Sequence, residues 1–148
     1  RNKAMIGLLI TGHGHFATGL GSSLKLITGN TENIVYVDFE ADHSTETLTE
    51  NLNKGFDELK GCDGVLVLSD LAGGSPFKCA VECKFARPEQ AIEVIAGSNL
   101  PMLIEGSMMM GAFDSPLDFA ESLIPTGKDY IIRFELAAHE DNAEEDGI

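Results

Sequence analysis

Five short apolar runs punctuate the chain: Met5 to Ile10, Ile34 to Phe39, Gly64 to Ser69, Ile92 to Ala96 and Tyr130 to Phe134. The first four are apolar without alternation, the pattern of strands buried on both faces of a parallel sheet. Between them, apolar positions return at helical spacing. Phe16 to Ile27 predicts a helix closing near Gly29, and Ser44 or Thr45 caps a second that runs to about Leu59. Ser75 to Phe85, Leu100 to Met110 and Pro116 to Leu123 predict three more. Pro76 and Pro101 fall where a first helical turn accepts proline. Strands and helices alternating at this spacing specify an open α/β sheet with right-handed crossovers. Tyr130 to Phe134 differs, because Arg133 interrupts it. It reads as an edge strand or as one that pairs with another subunit.

Composition narrows the class. A chain of 148 residues suits one domain with one core. No apolar run reaches the ~18 residues of a membrane span. The formal net charge of −14 argues against a nucleic-acid partner, which needs clustered Lys and Arg. Part of that charge lies in residues 137–148, where Glu140, Asp141, Glu144, Glu145 and Asp146 occur with no basic residue. Such a run predicts a solvated, flexible tail. Arg1 to Ala4 carry no pattern and read as a remnant or a frayed end, which leaves residues 5–136 as the domain. Three cysteines, Cys62, Cys79 and Cys83, cannot all pair, and a reducing cytoplasm fits them best. Cys79 and Cys83, four apart on a predicted helix, read as small core residues.

In open parallel sheets, ligands bind beyond the carboxyl ends of the strands where strand order reverses. The first strand runs into Thr11-Gly12-His13-Gly14-His15, and the third into Ser69-Asp70-Leu71-Ala72-Gly73-Gly74-Ser75-Pro76-Phe77. If these strands are adjacent, His13 and Asp70 meet at one rim. Neutral imidazole is a good nucleophile toward phosphorus. A carboxylate on one ring nitrogen fixes the tautomer, frees the other nitrogen's lone pair and meets the charge that develops on the ring. Gly12 and Gly14 let a partner's backbone come close. Gly14 and Ser75 are the candidate phosphoryl-stabilising residues, Ser75 because its loop runs into a helix N-terminus rich in N–H donors.

Other readings compete for the same residues. Gly12-x-Gly14-x-x-Ala17, with Asp38 ending the second strand, has the spacing of a dinucleotide fingerprint. His13 has no role in cradling a pyrophosphate, however, and no second domain carries a substrate. His13-x-His15 could begin a metal site, but neither His43 nor Cys79-x-x-x-Cys83 supplies converging ligands, so no metal and no cofactor is assigned. Met108 to Met110 read as a helix end packing into the core. Gly73 to Phe77 lack the spacing of a serine nucleophile elbow. His15, His43 and His139 read as rim or surface residues.

Three segments together, in order and spacing, resemble one family. They are Gly12-His13-Gly14, Asp70 followed by Gly73-Gly74-Ser75-Pro76-Phe77, and Val94 to Leu103 with its Asn99-Leu100-Pro101-Met102. Residues 5–136 are similar to the enzyme IIA component of the mannose-type sugar phosphotransferase system. The Thr-Gly-His-Gly start and acidic ending are similar to its N-acetylgalactosamine branch. Thr11-Gly12 stands where Gly-Thr is common, and His15 where an aromatic is usual.

The resemblance implies an α/β fold of four parallel strands plus a fifth, antiparallel strand swapped within a homodimer. It implies that His13 takes a phosphoryl group from phospho-HPr and passes it to a histidine of enzyme IIB, serving the membrane components IIC and IID. It gives Asp70 the role of orienting His13, and puts Ser75 near the phosphoryl group. With no Ala/Pro-rich linker following, IIB is expected on a separate chain. A second candidate, the phosphotransfer subunit of dihydroxyacetone kinase, shares the fold and the histidine but not Gly-Gly-Ser-Pro-Phe. A non-enzymatic regulator that senses phosphorylation ranks third.

Overall fold

The computed structural model describes residues 5–30 and 32–137; residues 1–4, His139 and nearly all of the acidic tail lie outside them. Strands and helices alternate: β1 (Ile6–His13), α1 (Phe16–Thr28), β2 (Ile34–Phe39), α2 (Thr45–Glu58), β3 (Gly64–Ser69), α3 (Ser75–Ala86), β4 (Ile92–Ile95), α4 (Leu100–Met108) and α5 (Pro116–Asp129). The four strands form one parallel sheet in the order β2-β1-β3-β4. β1 and β3 are therefore the central pair, and Thr11 stands opposite Ser69 at their carboxyl ends.

Burial follows this order. Every residue of β3 is buried, as is β1 as far as Gly12. β2 and β4, which the apolar pattern had placed between two covered faces, are edge strands with half-buried interiors. Two cores flank the sheet. Ile6, Leu8 and Ile10 of β1 face one side with Leu24, Leu103 and Phe119 from α1, α4 and α5. Leu9 of β1 faces the other with Leu48, Leu52, Phe56, Cys79 and Cys83 from α2 and α3. The two cysteines are small core residues there, and burial pushes the Cys83 thiol up.

Helix starts follow local chemistry. The Ser44 hydroxyl accepts the Thr47 amide at the head of α2, and the Asn99 side chain accepts the Met102 amide at the head of α4. Two ends depart from expectation. α4 stops at Met108, leaving Met108 exposed while Met110 packs into the core and its carbonyl accepts the Ile6 amide. α5 continues past Leu123 and through Pro125 to Asp129. Tertiary bonds hold that last turn, because Asn99 Nδ2 donates to the Gly127 carbonyl and Thr126 Oγ1 to Glu105. Beyond it, residues 131–137 form no strand within the described chain, and Ile131, Ile132, Phe134 and Leu136 are exposed. Among the described residues, no helix is long and apolar enough to cross a membrane.

Candidate functional site

His13 is the last residue of β1, and Asp70 follows directly on β3, so adjacent central strands deliver both to the carboxyl rim. The His13 amide donates to Asp70 Oδ2 at 2.9 Å, and ring Nδ1 lies 2.7 Å from the same oxygen. An ionised carboxylate only accepts. In the neutral ring the proton therefore sits on Nδ1, and Nε2 keeps its lone pair. The His13 side chain is 47% exposed and that of Asp70 11%, so the imidazole is partly open to solvent while its carboxylate support lies inside.

Asp70 is fixed on its other sides as well. Its Oδ1 accepts the Leu71 amide at 2.8 Å. Its carbonyl accepts the Gly97 amide, and the Ser69 carbonyl accepts the Ser98 amide, so the β4–α4 loop clasps the end of β3. Burial pushes the Asp70 carboxyl up, but bonds from the His13 amide, the His13 ring and the Leu71 amide outweigh it. The group ends below its ordinary carboxylate value and is held ionised.

Ser75 opens α3 immediately after this loop, with Pro76 next and Gly74 as the N-cap residue. The amides of a first helical turn have no acceptor within the helix, which makes this a place for phosphoryl oxygens. Gly14 contributes differently. Its amide already donates to the Phe39 carbonyl at 2.7 Å, so it brings a left-handed turn, φ +59°, and open space to the rim. Phe39, which the sequence marked only as the end of a strand and not as a site residue, meets the His13 ring edge-on, with centroids 5.9 Å apart and planes at 64°. The signal was the parallel register, which sets Phe39 opposite His13.

The remaining candidates separate from His13. Asp38, the would-be ribose ligand of a dinucleotide fold, accepts the Thr18 amide at 3.0 Å and the Thr18 hydroxyl at 2.6 Å, tying β2 to the first turn of α1. His15 Nε2 stands 3.4 Å from Glu40 Oε1. His15, Asp38 and Glu40 have ligand atoms within 4.8 Å of one another, an exposed group that does not include His13. His43 holds the turn after β2: its Nδ1 accepts the Glu40 amide, and its own amide donates to the Glu40 carbonyl.

Comparison with known proteins gives a consistent answer. Residues 7–122 match the EIIA-man family model, described as "PTS system fructose IIA component". The mannose-specific EIIAB component of Escherichia coli K12 is 37% identical over 111 residues, which is 75% of this chain and 33% of that protein. The chain thus spans about a third of the length of the mannose-specific relatives it matches. The fructose-specific EIIA component of Bacillus subtilis is 34% identical over 101 residues, 68% of each chain. The crystal structure of phosphotransferase system component EIIA from Streptococcus agalactiae superposes with a TM-score of 0.81 at 31% identity, covering 87% of this chain and 97% of that one. The matched span of 7–122 takes in all of the parallel sheet except Ile6, together with the loops that carry His13, Asp70 and Ser75, and on these grounds the chain belongs to the mannose family of phosphotransferase-system IIA components.

Proposed function

We propose that this chain is a histidine phosphocarrier of a bacterial sugar phosphotransferase system, accepting a phosphoryl group on Nε2 of His13. The observation that carries this reading is the 2.7 Å contact between His13 Nδ1 and Asp70 Oδ2, which leaves Nε2 as the free nucleophile at the exposed edge. The donor is phospho-HPr. Its N–P bond breaks with the electron pair returning to the donor ring, while the Nε2 lone pair of His13 forms the new N–P bond. The positive charge gathering on the His13 ring is met by ionised Asp70. Phosphoryl oxygens are received by the Ser75 hydroxyl and the first-turn amides of α3. The onward step repeats the exchange toward a histidine of IIB, for uptake through IIC and IID at the cytoplasmic side of the membrane. The branch assignment to N-acetylgalactosamine rests on the Thr-Gly-His-Gly start and the acidic ending.

Residues 5–136 form the working unit, and it acts as a homodimer. Tyr130 to Phe134 cross to a second copy and add a fifth, antiparallel strand to its sheet. Two features support this: the segment exposes Tyr130, Ile131, Ile132 and Phe134, and among the described residues β4 ends the sheet with an unpaired edge.

The test is intact-mass spectrometry under conditions that preserve acid-labile phosphate, after incubation with enzyme I, HPr and phosphoenolpyruvate. One added phosphoryl group mapped to His13 is expected, and no added mass overturns the reading.

A further inference from the structure

The backbone at Gly74 adopts φ −89° and ψ 167°, extended geometry open to any residue, so chain conformation does not call for glycine there. The adjoining Gly73 is the opposite case, with φ +85° and nothing within 4 Å of where a Cβ would stand. At Gly74 that position falls 2.6 Å from His13 Cε1 and 3.2 Å from Nε2, with Leu71 Cδ1 at 3.5 Å. Carbon atoms in optimal contact stand about 3.5–4.0 Å apart. The imidazole therefore occupies the volume that a side chain at Gly74 would need. Phe39 meets the same ring edge-on, and Asp70 holds Nδ1. A ring pushed off Gly74 would shift relative to both of those contacts.

We propose that Gly74 is a positioning residue, whose missing Cβ seats the His13 ring so that Nδ1 reaches Asp70 while Nε2 lies at the start of α3. The inference rests on His13 being the phosphoryl acceptor and adds what fixes the direction of its lone pair. Transfer depends on that direction, because a displacement of about 1 Å at a reacting centre costs roughly 100-fold in rate.

Gly74 is also the N-cap residue of α3, and a substitution there touches two things at once. Alanine and serine separate them. Serine is a better N-cap than glycine and alanine a worse one, yet both carry the same Cβ. If Gly74 served only the helix start, Gly74→Ser would keep wild-type transfer and Gly74→Ala would lose it. A ring seat requires both to fail, with the rate constant at saturating phospho-HPr down about 100-fold. The imidazole ¹⁵N spectrum supplies an independent readout. The wild type is expected to show a single tautomer protonated at Nδ1, and both variants an averaged ring. A stability cycle supplies a third: the Cβ at position 74 should destabilise the chain when His13 is present and spare it in a His13→Ala background. Wild-type transfer and a wild-type ring spectrum in Gly74→Ser overturn the proposal. If the wild-type chain takes up no phosphoryl group, the phosphocarrier reading fails, and the ring spectrum and the stability cycle still decide the role of Gly74.

Discussion

His13 is bound to Asp70 twice, through its backbone amide and its ring Nδ1, and both bonds end on the same carboxylate oxygen, Oδ2. One oxygen thus sets where the β1 end lies and which way its imidazole faces. The other, Oδ1, is anchored by the Leu71 amide. Rotation of the carboxylate would break all three contacts together.

Asp70→Asn keeps the shape but removes the charge that, in the proposed transfer, meets the developing imidazolium. Phosphoryl uptake should slow by about 100-fold, within the range typical of a lost acid–base or electrostatic partner. Stopped-time transfer from phospho-HPr measures this, and an unchanged rate would remove Asp70 from the mechanism.

The same pair predicts a pH dependence. The folded-state pKa of Asp70 lies below its ordinary value, so its contribution to stability is present above the unfolded carboxylate pKa, about 3.9. It is lost as pH falls through the lower, folded value. The stability advantage of wild type over Asp70→Asn should therefore hold at neutral pH and shrink steadily below about pH 4. Urea titrations of both proteins across that range would show it, and a constant difference would contradict it.

His13→Gln should abolish phosphoryl uptake and leave the melting temperature near wild type, since the side chain is 47% exposed. Residual histidine phosphate in that variant would move the site to His15.

Asn99 has two duties that can be separated. Its oxygen accepts the Met102 amide at 3.2 Å, and its nitrogen donates to the Gly127 carbonyl at 3.0 Å. Asn99→Asp keeps the cap and loses the tie to α5, while Asn99→Ala loses both. The alanine variant should be less stable by about 1–2 kcal/mol, with the aspartate variant between it and wild type. Equal stability of the two variants would mean that the cap contributes nothing.

If the proposed dimer forms by exchange of Tyr130 to Phe134, removal of residues 130–148 should yield a monomer by light scattering. An unchanged mass would refute exchange of that segment between copies.

Much of this architecture could be read from the residues alone, and the exceptions are instructive. Leu8, Leu9 and Ile10, or Val65 to Leu68, are apolar at every position because both faces of a central strand are covered. Val35 and Tyr36 belong to an equally apolar run, yet they lie half-buried, since hydropathy reports neighbours above and below a strand and says little about neighbours beside it. His13 and Asp70 were legible because strand ends collect chemistry in open parallel sheets. Phe39 and Gly74 were not. Their relation to His13 depends on the register of β2 against β1 and on the path of the β3–α3 loop, and neither is local. The end of α5 departs for the converse reason: proline locally disfavours a continuing helix, but bonds with Asn99 and Glu105 hold the turn beyond Pro125.

His13 and Asp70 lie 57 residues apart in the chain and are brought together by the parallel pairing of β1 and β3, with α1, β2 and α2 in between. Long-range parallel pairing is among the slower events in folding, because a large loop must close before any contact rewards it. A nascent or partly refolded chain can thus hold formed helices and still lack the His13–Asp70 contact. Competence to accept phosphate becomes a clock for the last stages of assembly, and refolding followed by label uptake should lag refolding followed by helical signal.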